Sequence, residues 1–548
     1  MKTETGEYTI FPRQASGLTK AIGVWGATIF GIHCISLSSS GLIAFSWVAS
    51  VWPGASIFGL LTVAMVASLI HSYTFAAIGA AMPRSGADYV LGSRILNPVL
   101  AFAASWTLVL FSGVVAGGLI AWIPKSALPA LLQPMAIIFN RPTFTQWATY
   151  CSSSSGSLII ATVFVLLTLG LMLLPNHLIL RILALGLILG LLAWGVIFFS
   201  LWDVPGPQAF KAAWNHFMAP TSRYGSFDQR LVLAKAAGLV FSPSTMTMTL
   251  AGLIMGFWIY YGYYIPTFFA GEVRKADTSA TLLAAGWASI LVTWIIFAVG
   301  ALLLGRLVDT NWVAAEGYLA NNADQVTKVA GKEVLSLPWI TFYAAILHPN
   351  PFLIGFTALA WIYTLINLGQ TYFFYSSRVV FSWAFDRIVP SFFTYVHPRT
   401  RSPIFSVIFI ALLAEVGVID AAYGGILGTQ LTFAFFAVVT QFVAVTAITI
   451  FPFRAPEQFR LSPRFVRARI LGFPVITLVG GVTLLYLLWM VVASFLYPAA
   501  GISNPSRTVP LLLGLLISGV VWFLGARYYR KRSEGLDIAQ IYQRVPPA

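Results

Sequence analysis

Side chains able to hold a small charged molecule are scarce in this chain, and they gather at two places. One is Ile35-Ser36-Leu37-Ser38-Ser39-Ser40-Gly41. There the hydroxyls of Ser36, Ser38, Ser39 and Ser40 suit a carboxylate or a cation, beside backbone groups that an interrupted helix leaves unpaired. The other runs from Trp258 through Tyr260-Tyr261-Gly262-Tyr263-Tyr264-Ile265-Pro266. Its rings offer an ammonium a cation–π attraction of about 2 kcal/mol in a dry site. Pro266 removes a backbone donor, and Gly262 permits unwinding. The competing roles are small-residue packing for the serines and interfacial anchoring for the aromatics.

Titratable groups inside apolar segments are fewer. His33 has an ordinary pKa near 6.5, suited to a proton carrier, as is the carboxyl of Glu415. Each also suits a plain helix-packing hydrogen bond, as does His71. A further charged set, Arg84, Asp88, Glu272, Arg274, Lys275, Arg378 and Asp386, falls at segment ends and fits a gate of breakable ion pairs, or ordinary loop pairing. Enzyme chemistry finds no support: the sequence has no His-x-x-His, Cys-x-x-Cys, phosphate-loop or Gly-x-Ser-x-Gly arrangement and calls for no cofactor.

The elements that must position these residues follow from composition. Of 548 residues, 58% are hydrophobic and 9% charged, too few charges for the surface of a soluble chain of this length. The apolar runs reach about twenty residues, which means membrane-spanning helices rather than barrel strands. Spans are expected at 18–50, 55–81, 96–123, 156–175, 180–202, 245–271, 279–305, 351–378, 404–423, 426–452, 473–497 and 508–528. With the amino terminus in the cytoplasm, the 32 Lys and Arg divide 22 inside and 10 outside. The net charge of +15 therefore reads as topology and contact with anionic lipid, not nucleic-acid binding. No cleavable signal peptide is evident, and Cys34 and Cys151 do not suggest a disulfide framework. Three long connections, 124–155, 203–244 and 306–350, fall outside the membrane; the third reads as short surface helices capping an external vestibule or as simple spacer.

The first and sixth spans carry the two polar interruptions. Interruptions at corresponding places five spans apart are the signature of two inverted five-helix repeats, with a small-molecule site near the midplane. The expected organisation is a tail at 1–17, a transport core at 18–452 (repeats 18–202 and 245–452), accessory spans within 473–528 and a basic cytoplasmic tail at 529–548.

Three stretches then carry a family resemblance: Met82-Pro83-Arg84-Ser85-Gly86-Ala87-Asp88-Tyr89-Val90 with Ser93-Arg94-Ile95-Leu96-Asn97-Pro98 and Trp106; Gly262 through Glu272-Val273-Arg274-Lys275; and Ser377-Arg378, Asp386-Arg387, Val389-Pro390 and Val396-His397-Pro398-Arg399. The chain resembles the amino acid–polyamine–organocation (APC) superfamily of permeases over about 15–452. The resemblance implies an all-α, LeuT-type fold with substrate between spans one, three, six and eight, Gly262 at a break and Tyr260 as an aromatic gate. It implies a secondary transporter of amino acids or small amines in the plasma membrane, driven by a proton or sodium gradient or by exchange. A cation or polyamine carrier and a non-transporting nutrient sensor are the alternatives. Two departures stand out. The Gly-x-Gly usual in the family's first span is replaced by His33-Cys34-Ile35, and the fifth span lacks the lysine that some members use for proton coupling.

Overall fold

The computed structural model describes residues 18–425, 427, 430–497 and 505–543; the tail expected at 1–17 and the last residues of the basic tail lie outside them. The chain is overwhelmingly helical. Among the described residues, ten helices are long and apolar enough to cross a membrane, or eleven if a bent pair at the start is one span.

That pair is α1 (Val24–Ile35) and α2 (Ser39–Ser46), bent by 42°. Then come α3 (Ile57–Ala81), α4 (Ala87–Ile95), α5 (Pro98–Ile120), α6 (Leu128–Phe139), α7 (Ser154–Met172) and α8 (Asn176–Trp202). The expected sixth span is a chain of short pieces: a helix at Met246–Ala251, α9 (Leu253–Tyr260) and 3-10 turns at Ile265–Phe268 and Ala270–Glu272. The rest of the bundle is α10 (Thr281–Leu307), α11 (Pro351–Phe385), α12 (Ile404–Ala422), α13 (Gln430–Arg454), α14 (Val475–Leu496) and α15 (Pro505–Glu534).

Local chemistry sets several helix starts. Asn97 accepts from the amides of Val99 and Leu100 ahead of Pro98, and Asn350 does the same for Phe352 and Leu353 ahead of Pro351. On α7 and α8, Ile159, Val163, Leu166, Ile188 and Leu192 recur at helical spacing and are exposed, an apolar face suited to lipid.

Several expected boundaries move. The third span does not stop at 123: a π turn at Ile123–Ala127 lets the chain pass Pro124 and continue into α6, because a wider turn accommodates the missing donor. The last helix runs to Glu534, past the expected 528, and its tail folds back as a 3-10 turn at Ile538–Gln543. The second and third long connections form helices, Pro207–Met218, Phe227–Ala236 and Thr310–Asn321 among them. These pack Trp214, Phe227 and Trp312 around a buried Arg230–Glu316 ion pair of 3.2 Å.

A close helix crossing joins α5 to α12. A Cβ on Gly117 would stand 1.7 Å from the carbonyl oxygen of Ala414, and one on Gly417 1.7 Å from that of Val114. Backbone cannot yield that much. Gly417→Val is expected to lower stability by about 3 kcal/mol, read as a fall in thermal midpoint in detergent. An unchanged midpoint would mean that the two helices do not meet this way.

Candidate functional site

The two interruptions meet. In the first, the Ser36 amide donates to the Ile32 carbonyl at 2.8 Å, and Ser36 takes a φ of 65°, which ends α1. Its hydroxyl accepts from the Ser39 amide at 3.2 Å and pairs with the Ser38 hydroxyl at 3.1 Å, so Ser36 starts α2 as a capping group. The Ser40 hydroxyl donates to the Ile35 carbonyl. The Trp194 indole satisfies the Leu37 carbonyl at 3.1 Å, and Thr364 of α11 donates to the Ser38 hydroxyl at 2.9 Å. The serine run is therefore what allows a helix to break inside an apolar bundle: its hydroxyls replace backbone bonds that water would otherwise have to supply.

In the second, α9 ends at Tyr260 and Gly262 adopts a φ of +131°, a left-handed geometry open to glycine. A Cβ there would lie 2.5 Å from the Cys34 carbonyl carbon and 2.6 Å from the Ile35 nitrogen. Glycine thus serves twice, for its backbone angle and for the approach of one break to the other.

Beside this contact is a space of about 180 Å³, lined by Cys34, Ser39, Ser40, Trp258, Tyr261 and Tyr372 among others and too narrow to admit water. Its rings are layered. Trp258 stacks with Tyr261 at 6.2 Å, Tyr261 with Tyr372 at 6.2 Å, and Phe433 meets both Trp258 and Tyr261 edge-on. The Trp258 indole N–H is buried and has no hydrogen-bond partner. A buried unpaired donor costs free energy, so an acceptor arriving in this space would be held by it.

The candidate residues separate here. Trp258, Tyr261, Ser39 and Ser40 line the space, Gly262 backs it, and Ser36 and Ser38 lie within the first break. Tyr260 turns away and donates to the Leu61 carbonyl at 3.1 Å, and His33 donates to the Leu183 carbonyl on α8 at 2.6 Å. Glu415 is remote from the breaks, accepting from Thr162 of α7 at 2.5 Å.

Sequence reasoning overlooked Tyr372, Tyr375 and a pair of amides on α11. Asn367 and Gln370 are fully buried with no partner for either amide group. Two carboxamides three residues apart in an apolar span were the available signal.

The charged set gathers at one end of the bundle. Glu272 and Arg378 pair at 2.9 Å, both buried; Asn176 also donates to Glu272, and the guanidinium lies 3.5 Å over the Phe374 ring. Asp386 pairs with Arg94 at 2.9 Å rather than with a residue of the expected set, and it accepts from the Tyr89 hydroxyl at 2.8 Å. Tyr89 in turn bonds Tyr542 of the folded-back tail. Arg274 reaches the Lys20 carbonyl, while Arg84 occupies the loop between α3 and α4 and Asp88 the first turn of α4. At the opposite end, beyond Ser46 and Trp47, a vestibule of about 1480 Å³ opens between α2, α6 and the helices of the long connections.

Two helix breaks pressed together in an apolar bundle, with an unpaired donor and layered rings beside them, make up the candidate site. The sequence profile of amino acid permeases matches residues 22–520, nearly the whole chain. The chain belongs to the amino acid permease family of the APC superfamily. This permease is thus an integral membrane protein and a transporter by family. No individual curated protein matches it.

Proposed function

We propose that this permease moves an amino acid across the plasma membrane by alternating access, with both termini cytoplasmic. In this reading the two interrupted segments join the ten long helices as spans one and six of a twelve-span, LeuT-type 5+5 arrangement. The observation that carries it is the contact of Gly262 with Cys34 and Ile35, which brings both breaks to one small space.

A substrate carboxylate would accept from the Trp258 indole, and the ammonium would lie against the Tyr261 and Tyr372 rings. The absence of a carboxylate among the described lining residues argues for a zwitterion over a polyamine. The geometry has the form of a state shut toward the cytoplasm. The Glu272–Arg378 and Arg94–Asp386 pairs tie α4, α11 and the end of the sixth span together, while the vestibule lies on the outer side. Rocking that separates the breaks would enlarge the site, and breaking the pairs would open it inward.

A thermal-shift screen against the twenty amino acids, polyamines and nucleobases tests this. A ligand at a hundred times its dissociation constant adds about 2.7 kcal/mol to native stability. If no amino acid shifts the midpoint, the assignment fails. Trp258→Phe keeps an aromatic side chain, though a smaller one, and removes the donor, so it is expected to weaken binding of the responsive amino acid about 10- to 100-fold, as loss of a charged hydrogen bond does. Equal affinity in that variant would remove Trp258 from the site.

A further inference from the structure

The first break has a second cavity beside it, of about 440 Å³. Ser38 and Gly41 turn to this cavity, whereas Ser39 and Ser40 turn to the substrate space. Residues of α8 and α11 form two further walls, and Trp339 with the helix at Ile340–Leu347 closes the outer side. The size falls within the range of small-molecule pockets.

The polar atoms here are few, and most are already used. The Trp194 indole donates to the Leu37 carbonyl, Thr364 to the Ser38 hydroxyl and Thr357 to the Leu353 carbonyl at 3.0 Å. Two are not used. The Trp361 indole N–H and the Thr341 hydroxyl are enclosed with no hydrogen-bond partner, and Trp361 is 5% exposed. An indole N–H can only donate, and a lone hydroxyl donates as readily, so both call for an acceptor. A buried donor left bare costs free energy that an occupant's acceptor would recover.

The same lining excludes charge. None of the described residues around the cavity is ionisable, so an ion or a zwitterion would lose its hydration without meeting a counter-charge. The rest of the wall is aromatic and aliphatic, with Trp339 edge-on to Trp361 at 5.8 Å. The seam of α8 and α11 beside it faces lipid. Leu192 and Leu359, next in sequence to the lining residues Ala193 and Ala360, are 55% and 62% exposed.

We propose that this cavity is a second binding site, for an uncharged, mainly apolar molecule of one or two rings that bears a hydrogen-bond acceptor and enters from the bilayer. The acceptor meets Trp361 and Thr341 while the rings pack against the indoles. Because Leu37, Ser38 and Gly41 are part of the wall, an occupant also props the first break in the form seen here. Its effect on turnover rests on the transport reading above; its binding does not.

Equilibrium binding of tritiated 2-acetylnaphthalene to the full chain in nanodiscs tests it, with empty nanodiscs subtracted and 2-ethylnaphthalene as the analogue without an acceptor. Binding to the wild type should saturate. The preference for the ketone over the hydrocarbon should fall about 3- to 10-fold in Trp361→Phe, as loss of one neutral hydrogen bond does. Taking that ratio cancels the effect of the smaller ring on packing. In a Cys151→Ser background, the ketone at ten times its dissociation constant should slow thiol labelling of the buried Cys34 about tenfold. The absence of saturable binding means a cavity that holds water only, and overturns the proposal. A ketone preference unchanged in both Trp361→Phe and Thr341→Ala overturns it as well, and an unchanged Cys34 rate with the ketone bound overturns the propping of the break. None of these readouts needs an amino acid, so a failed amino-acid screen counts against the transport reading alone.

Discussion

Replacing Gly262 with alanine is expected to abolish substrate-induced stabilisation and to lower the thermal midpoint of the ligand-free protein. The added carbon would stand 2.5 Å from the Cys34 carbonyl carbon, and the residue would hold a φ of +131°. Backbone strain of this kind costs about 1–3 kcal/mol by itself, and relieving the clash requires the two breaks to part. Gly331→Ala separates the two effects, because Gly331 has a φ of +75° but open space where its Cβ would go. That variant should lose some stability and keep the ligand response. A Gly262→Ala protein that still shows the full shift of about 2.7 kcal/mol would mean that the breaks do not form the site.

Glu272→Gln should act at the other end, and more strongly on stability. Its carboxylate meets the Arg378 guanidinium at 2.9 Å with neither exposed, and leaving a buried charge unpaired costs about 3–5 kcal/mol. The expected result is a lower thermal midpoint and a population shift toward the inward-open form. Cys34, buried beside the break, reports this shift: in a Cys151→Ser background its reaction with a thiol reagent should accelerate about tenfold or more. The double change Glu272→Leu, Arg378→Met should recover much of the stability while Cys34 stays reactive, since an apolar pair replaces the ions but not their specificity. If Cys34 labels at the wild-type rate in Glu272→Gln, the pair is structural and not a gate.

Much of the architecture was legible because membrane solvation constrains it so tightly. Apolar length located the long helices, and Pro266 with Gly262 and the serine run located both interruptions, since no other chemistry breaks a helix in lipid without a large penalty. The boundary errors arose where a local exception satisfied the backbone, as at the π turn beside Pro124.

Side-chain direction was not legible. Tyr260 and Tyr261 are adjacent and chemically alike, yet the first is the last residue of α9 and the second leaves the helix with a ψ of 122°. Only packing sends the first to the Leu61 carbonyl and the second to the space beside Trp258. Ion-pair choice was equally open: Arg94 lies in the last turn of α4 and Arg378 about two turns before the end of α11, and the crossing of α11 with α4 and the sixth span assigns Arg378 to Glu272 and Arg94 to Asp386. The sequence by itself determined that this is a membrane bundle with two broken segments and a basic end, because lengths and residue types suffice for that. The tertiary structure alone decided that the breaks touch and that Trp258 keeps a bare donor. Those facts depend on which helix faces meet, and helix faces are settled by packing between distant parts of the chain.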